Sequence, residues 1–546
     1  MKYLFCLFLF VFIIIPSNVY ADVDSKNSTL LEKVTVLSSQ HQVDDVYPNS
    51  TRVSPDSSKL SYVARKGDQY SLVMDGVFQP PCSAIGFPSP VFSADGKHYA
   101  YSCLSNSSWH MVVDGSKGQD YDAVSVPAFS NDSSHWIYVA KGGEQYFVVL
   151  DGKEQGPYDA ILKEQFLPQF SMDTKHVVYG VRIGKKKHIV FDGIKGKAYD
   201  SLMPPVFSPD SKHLAYAGRG EKHKWAMVID NKESLTLYDQ IMAFRFSPDS
   251  RHLASVALKG DRVVVIKDEK EIGSYDDIFA LDFSPDSSRF VYAAADGNKK
   301  RIIVDGIEAA RFDRIGVFSF SSDSRNYAYS ATSGKKEFVI KNGVKGLAYE
   351  AILVPIFSPD SKHLSFKAKR EGKWMVVMDG MESQAYDDIT SPLFSPDSQH
   401  LLYVARRGEL SYVVKDGIEE KGFADISVPF FSTDSKHTIY FAVSNKKTML
   451  VLDGKVQQAY DKVTMPVFSV DMKHFVYMAM KKKNDKDEEW FLVVDGKETA
   501  NRFNGFIKGS EIVFDGPNHL HALVYRFPGI QFLRFDVDIV NEKTGK

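Results

Sequence analysis

No segment of this sequence is apolar for long enough to cross a bilayer as a helix. Its longest unbroken run, Leu4 to Ile15, stops after twelve residues at Pro16, where a span needs about 20. Nor is there an excess charge of either sign. Lys plus Arg number 67 against 69 for Asp plus Glu, a net −2, which argues against a general nucleic-acid binder but leaves the arrangement of charge open. Cysteine is scarce, with three in 546 residues, and no Cys-x-x-Cys pair occurs. Catalytic signatures are missing as well: there is no Gly-x-Ser-x-Gly elbow, no His-Glu-x-x-His and no phosphate-cradling glycine loop. No motif calls for a metal or a cofactor. Disorder is excluded by a composition 44% hydrophobic and 13% aromatic, and no helical period is found anywhere.

What is present begins with an address. Lys2 supplies a positive start, the apolar run follows, and Val19-Tyr20-Ala21 offers small residues at the expected cleavage positions. Residues 1–21 therefore read as a secretory signal, and the rest as a soluble periplasmic or secreted protein with no transmembrane span. Cys82 and Cys103 remain after such a cut, in adjacent repeats. In an oxidising compartment they either pair or stay apart as small core residues.

The body of the chain is one unit repeated. FSPDSKHL occurs at Phe207–Leu214 and again at Phe357–Leu364, and close variants put an aspartate at positions such as Asp56, Asp210, Asp286, Asp397 and Asp471, mostly 37 residues apart. An Asp-Gly pair keeps the same period, for instance at Asp114, Asp192, Asp305 and Asp416. Within residues 386–417, Tyr386 to Ile389, Pro392 to Ser395, Leu401 to Ala405 and Ser411 to Val414 read as short strands. Ser395-Pro396-Asp397-Ser398 is a reverse turn and Asp416-Gly417 a hairpin turn. Four short strands in about 37 residues make the blade of a propeller.

The fold class is therefore all-β: four-stranded antiparallel blades, twelve or thirteen in number. Glu511 to Phe514, His519 to Arg526 and Gln531 to Ile539 supply three strands of a last blade, and Lys33 to Ser38, within the N-terminal segment 22–38, can supply the fourth and close the ring. Propellers typically hold four to eight blades, so the count predicts tandem rings of six and seven, 39–290 and 291–540, with a tail at 541–546; the alternative is one oversized ring. The predicted junction falls where the proline seen as Pro205, Pro355, Pro392, Pro429 and Pro466 is replaced by Phe244, Leu281 and Phe318.

The Ser-Pro-Asp turn leading into a hydrophobic strand, as in Ser208-Pro209-Asp210 through Tyr216, resembles the TolB-type, WD-repeat-like propeller repeat over nearly all of the chain. The resemblance implies a binding scaffold making protein–protein contacts in an envelope complex.

Several constellations recur with the repeat. Nine histidines (His98, His135, His176, His213, His252, His363, His400, His437, His474) share one position. A zinc ligand must lie about 2 Å from its ion, whereas equivalent atoms on packed sheets are about 10 Å apart. A local bond to the turn aspartate three residues earlier is the expected role. The aspartates of Tyr121-Asp122, Tyr199-Asp200, Tyr386-Asp387 and their equivalents are expected to accept backbone N–H bonds near the crossing to the next blade. Aromatics opening the third strand (Tyr70, Trp109, Tyr146, Trp225, Trp374, Trp490) are expected to pack blade on blade. The turn between the second and third strands is repeatedly basic: Arg65, Lys66, Lys185, Lys186, Lys187, Lys369, Arg370, Arg406, Arg407, Lys481, Lys482 and Lys483. With carboxylates at the opposite end of each blade, this predicts a polarised molecule whose basic turns bind the partner.

The function expected from all this is an exported, non-catalytic scaffold for a protein or other envelope macromolecule, anionic if the basic turns form the contact, and not a nucleic acid. The alternative is a hydrolase or lyase acting on a sugar or peptide from loops in the channel mouth, which needs no linear motif.

Overall fold

The computed structural model describes residues 28–39, 45–47, 50–163, 166–484, 487–527, 529 and 531–541. The signal at 1–21 and the tail beyond Asn541 lie outside them. The described residues contain no α-helix, only a 3-10 turn at Glu221–His223; the rest is thirteen small antiparallel sheets standing in a ring at 27 Å from its axis.

The blade of residues 388–419 shows how the sequence makes each sheet. Leu401–Arg407 is its central strand, and it pairs with Leu410–Lys415 on one side and with two short pieces, Asp388–Ile389 and Leu393–Phe394, on the other. The two segments read as separate strands from the sequence are thus one interrupted strand, broken at Pro392, which has no N–H for the ladder. The fourth strand, Ile418–Glu419, follows the Asp416-Gly417 turn. Both turn residues have positive φ, 51° and 81°, as that hairpin demands.

Where proline gives way to Phe244, Leu281 and Phe318, the same strand runs unbroken as Gln240–Phe246, Asp277–Phe283 and Arg314–Phe320. The change in sequence character there reports a continuous inner strand. It is not a ring junction.

The expectation of two rings fails. Each neighbouring pair of sheets shares one apolar cluster, and the series has no gap. Val256 and Tyr275 pack on Ile278 and Tyr292 in the stretch where a junction was expected. The series closes when Leu60, Tyr62 and Val73 of the first blade pack on Ile507, Leu523 and Phe532 of the last. Glu511 N–H donates to Ser57 Oγ at 3.0 Å across the same seam. Thirteen sheets at this radius are spaced about 13 Å apart, close to the about 10 Å of face-packed sheets, so one ring accommodates them all. A repeat specifies its own sheet and its neighbour, and nothing in it counts blades.

Closure works as the sequence predicts. Ser28–Ser39 pairs with Gln531–Asn541, so the last blade takes its outermost strand from the other end of the chain. Glu32 fastens it further, its carboxylate accepting Ala500 N–H and Asn501 N–H at 2.6 and 2.8 Å.

Candidate functional site: the inner wall and the two turn faces

Sheets radiating from one axis crowd together inside and part outside. The strand after the Asp-Gly turn is exposed along most of its length, as in Val344–Tyr349, and is therefore outermost. The interrupted strand leads into the Ser-x-Asp turn, and that turn touches the next blade: Asp210 N–H donates to Ser250 Oγ at 2.9 Å and Asp360 N–H to Ser398 Oγ at 2.9 Å. The interrupted strand is therefore innermost and lines the opening. With sheet centres at 27 Å and strands about 4.8 Å apart, the inner strands stand about 20 Å from the axis. That leaves an opening of about 30 Å between side chains.

This wall carries a recurring apolar side chain among charged ones such as Arg245 and Asp282, which pair at 2.9 Å. Each of the first twelve blades turns at least one large hydrophobic side chain to solvent from its inner strand or the adjoining loop: Tyr47, Phe87, Val126, Leu167, Val206, Met242, Phe279, Val317, Val354, Leu393, Val428 and Met465. Leu167 is 62% exposed and Val428 69%. Single exposed hydrophobics are ordinary, but one from each of twelve blades, four to nine residues before the Ser-x-Asp turn aspartate, makes a recurring apolar surface around the opening. It has a signal in the sequence: an apolar residue placed before the inner-strand proline, as in Val126-Pro127, Leu167-Pro168, Val428-Pro429 and Met465-Pro466.

One turn face carries the histidines. Each pairs with an aspartate, although not with the near one. His98 Nδ1 lies 2.7 Å from Asp114 and His363 Nδ1 2.6 Å from Asp379, in each case the aspartate of the Asp-Gly turn. The near aspartate is already engaged: Asp360 accepts from Ser358 Oγ at 2.6 Å and from Lys362 N–H, which hold its carboxyl down to about 2. Each His–Asp pair therefore ties the first turn of a blade to its third, and Asp379 also accepts Leu364 N–H. Among the described residues no group of three or more His, Cys, Asp or Glu could hold a metal.

The other turn face carries the basic residues and the aspartates of the Tyr-Asp pairs. Those aspartates accept backbone N–H bonds as expected, Asp122 from Gly143 and Asp387 from Gly408, each at 2.7 Å.

The cations divide into two sets. Lys186 pairs with Asp200, Arg370 with Glu382, Arg407 with Glu419, Lys481 with Glu498 and Lys483 with Glu489, all within 2.7 Å. Lys369 lies over the Trp374 ring at 5.5 Å, and Lys482 N–H donates to Asp461. Arg65, Lys66, Lys185, Lys187 and Arg406 make no ion pair among the described residues. Five of the twelve cations are thus neutralised where they stand, and the face is less basic than its sequence.

Two of the carboxylates responsible, Glu382 and Glu419, are not marked out by the sequence reading, and they also hold the blades together. Tyr349 and Tyr386 donate to Glu382 and Glu419 of the following blade at 2.9 and 2.8 Å. Burial, with the carboxylate beside it, pushes Tyr349 up to about 12, so it remains a donor. The missed signal is Asp-Gly-x-Glu, as in Asp379-Gly380-Met381-Glu382 and Asp416-Gly417-Ile418-Glu419. Among the third-strand aromatics, Trp374 packs within the cluster shared with the next blade. Cys82 and Cys103 are bonded, with Cα atoms 5.6 Å apart, and join the first blade to the second.

No protein-family model matches the chain, and no curated protein matches it. Solved structures are similar at a distance. TolB from Acinetobacter baumannii is 15% identical, with 45% of this chain and 77% of TolB covered and a TM-score of 0.21. The β-propeller domain of the Trilobed protease from Pyrococcus furiosus is 14% identical, with 47% and 93% covered and a TM-score of 0.23. The tricorn protease is 12% identical, with 88% of this chain and 61% of the protease covered and a TM-score of 0.23. At these identities the likeness is one of β-propeller fold.

Proposed function

We propose that this protein is an exported, non-catalytic scaffold that seats a macromolecular partner of the cell envelope against the inner wall of its ring. The observation that carries this reading is the belt of exposed apolar side chains around an opening of about 30 Å. A gap that wide has no opposing wall within reach of a small molecule, whereas a folded protein segment can touch several blades at once and cover the belt. Export is supported by the leader-like residues 1–21 and by the Cys82–Cys103 bond. Arg65, Lys66, Lys185, Lys187 and Arg406 at one rim favour an anionic surface on the partner, and they add steering more than affinity. The channel-sited enzyme is less well supported, because the cavity between the first and last blades is lined, among the described residues, by one carboxylate, Asp45.

The test is a cross-linking pull-down from envelope extract at low and high salt. Three proteins are compared: wild type, a belt variant (Val126→Asp, Val428→Asp, Met465→Asp) and a rim variant (Arg65→Ser, Lys66→Ser, Arg406→Ser). The expected result is a partner lost at least tenfold with the belt variant, but weakened only a few-fold by salt or by the rim changes. A partner indifferent to the belt variant contradicts the reading.

A further inference from the structure

Between the eighth and ninth blades, on the outer side of the ring, the repeat departs from its pattern at two facing positions. In earlier blades Gly118 and Gly196 stand four residues after the aspartate of the Asp-Gly turn. A Cβ on them would lie 3.8 and 3.3 Å from the hydroxyl of a tyrosine in the next blade, Tyr138 and Tyr216. Gly346 holds that position in the eighth blade, but the matching residue of the ninth is Phe366, which has no hydroxyl. A Cβ on Gly346 would meet only Val339 O, of its own blade, within 4 Å. The space stands open as a hollow of about 430 Å³.

Its wall is apolar: Val339, Val344 and Leu347 from the eighth blade, Leu364, Phe366 and Val377 from the ninth. Two charged groups share the lining. Asp379 is engaged by His363 and by Leu364 N–H. Lys341 has no ion pair among the described residues and lies 6.0 Å from the Phe357 ring. The strand bounding the hollow, Val344–Tyr349, is the outermost of its sheet, with none beyond it among the described residues. The turn at Asn342-Gly343 sets Lys341 opposite Val344 as the hydrogen-bonded pair, so the next residue, Lys345, turns its N–H and C=O outward. Val344 and Leu347 are 71% and 57% exposed. The strand has neither proline nor carboxylate to blunt its edge. Lys345 lies over the Phe338 ring at 3.5 Å and also makes no ion pair among the described residues.

We infer that this edge binds an extended acidic segment of a partner protein by strand addition. The segment continues the eighth sheet outward through backbone hydrogen bonds. Its alternate side chains face the ninth blade, so an apolar one fills the hollow and a carboxylate two residues along reaches Lys341. Charge favours such a partner over a second copy of this chain, because two of these edges side by side would gather Lys341 and Lys345 of both. The site stands on the outer rim, apart from the inner-wall belt, and neither reading depends on the other.

Calorimetric titration of the whole protein with the acetylated peptide amide Glu-Val-Phe-Val-Glu tests it; the symmetry of the peptide serves either strand direction. The expected result is one site per chain, at least tenfold tighter than for Lys-Val-Phe-Val-Lys or Glu-Val-Ser-Val-Glu. Leu347→Asp and Lys341→Glu should each weaken binding at least tenfold, and Lys341→Glu should turn the preference toward the Lys-flanked peptide. An unchanged circular dichroism melt would show that these variants fold. Val428→Asp, on the inner wall, should bind as the wild type does. No binding, equal binding of the Lys-flanked peptide, indifference to Leu347→Asp, or a dimer in sedimentation velocity that Leu347→Asp dissolves overturns the proposal.

Discussion

Removing residues 28–39 should open the ring and leave a protein that melts early and aggregates. This strand pairs along its length with Gln531–Asn541. Its loss leaves an eleven-residue edge unpaired, the kind of exposed edge that templates association. Net contributions of about 0.5–1.5 kcal/mol per hydrogen bond make the cost about 5 kcal/mol or more, before lost packing is counted. Leu30 and Val34 pack on the last blade's core, so the deletion also uncovers apolar surface. Circular dichroism melting and sedimentation velocity should report the change, and a synthetic peptide of residues 28–39 should reverse part of it. A deletion variant that melts like the wild type and stays monomeric would show that the last blade does not depend on its borrowed strand.

The second large effect is expected at Asp495. Seven of the nine His–Asp pairs have half-exposed histidines and His437 is partly covered, but His474 and Asp495 are nearly enclosed, their side chains 10% and 2% exposed. Asp495 accepts from Phe475 N–H at 3.0 Å while pairing with His474 Nδ1 at 2.7 Å. Asp495→Ala leaves two buried polar groups unmet, at about 1–3 kcal/mol each, so a loss of about 2–6 kcal/mol is expected in urea unfolding. Asp379→Ala should cost about 1 kcal/mol, because water can replace the partner of the half-exposed His363.

The pH dependence of the pairs has a definite sign. Hydrogen bonds to Asp453 and Asp495 raise His437 and His474 above 6.5. Their contribution is therefore fully present below the unfolded value of 6.5 and is lost as pH rises through the folded value. The turn carboxylates work in the opposite direction. Asp360, held down to about 2 chiefly by Ser358, contributes stability that is present above 3.8 and lost as pH falls from there toward 2. Asp495→Asn keeps an acceptor for Phe475 N–H but removes the charge, so it should flatten the loss above pH 6.5. An unchanged alkaline limb in that variant would assign the limb to other groups.

Most of the blade was legible because its turns have special conformations. Asp-Gly pairs require positive φ, and Asp416 and Gly417 have it. Ser-Pro-Asp turns require a side-chain acceptor, and Asp360 is one. The borrowed strand at Ser28–Ser39 was legible for a related reason, since three strands at the end of the chain needed a fourth. The number of rings was not legible. Local turns fix a sheet, whereas ring size depends on a small wedge angle summed over every interface, and a typical blade count is no substitute for it. The substitution of Pro by Phe244, Leu281 and Phe318 looked like a boundary because it altered the pattern. Physically it only restored an N–H to the inner strand.

Side-chain partners were legible when they lay within a turn and illegible across turns. The sequence points His363 to Asp360, three residues away, but its partner is Asp379, sixteen residues on and across the sheet. The same holds for the cations. Arg407 lies close in sequence to Glu409 but pairs with Glu419, because the third and fourth strands bring that carboxylate back beside the second turn. Part of the apolar belt was present in the sequence before the inner-strand proline, as at Val126, Leu167, Val428 and Met465. An isolated Val or Met in a strand reads as core until the axis of the ring is known.

The central claim is one closed ring of thirteen blades around an open centre. End-on class averages from electron microscopy of the purified protein test it most directly. The predicted image is a single annulus with thirteen radial sectors and a stain-filled opening of about 30 Å, from strand spacings of about 4.8 Å. Two smaller discs joined side by side, each with six or seven sectors and a narrow centre, would contradict it.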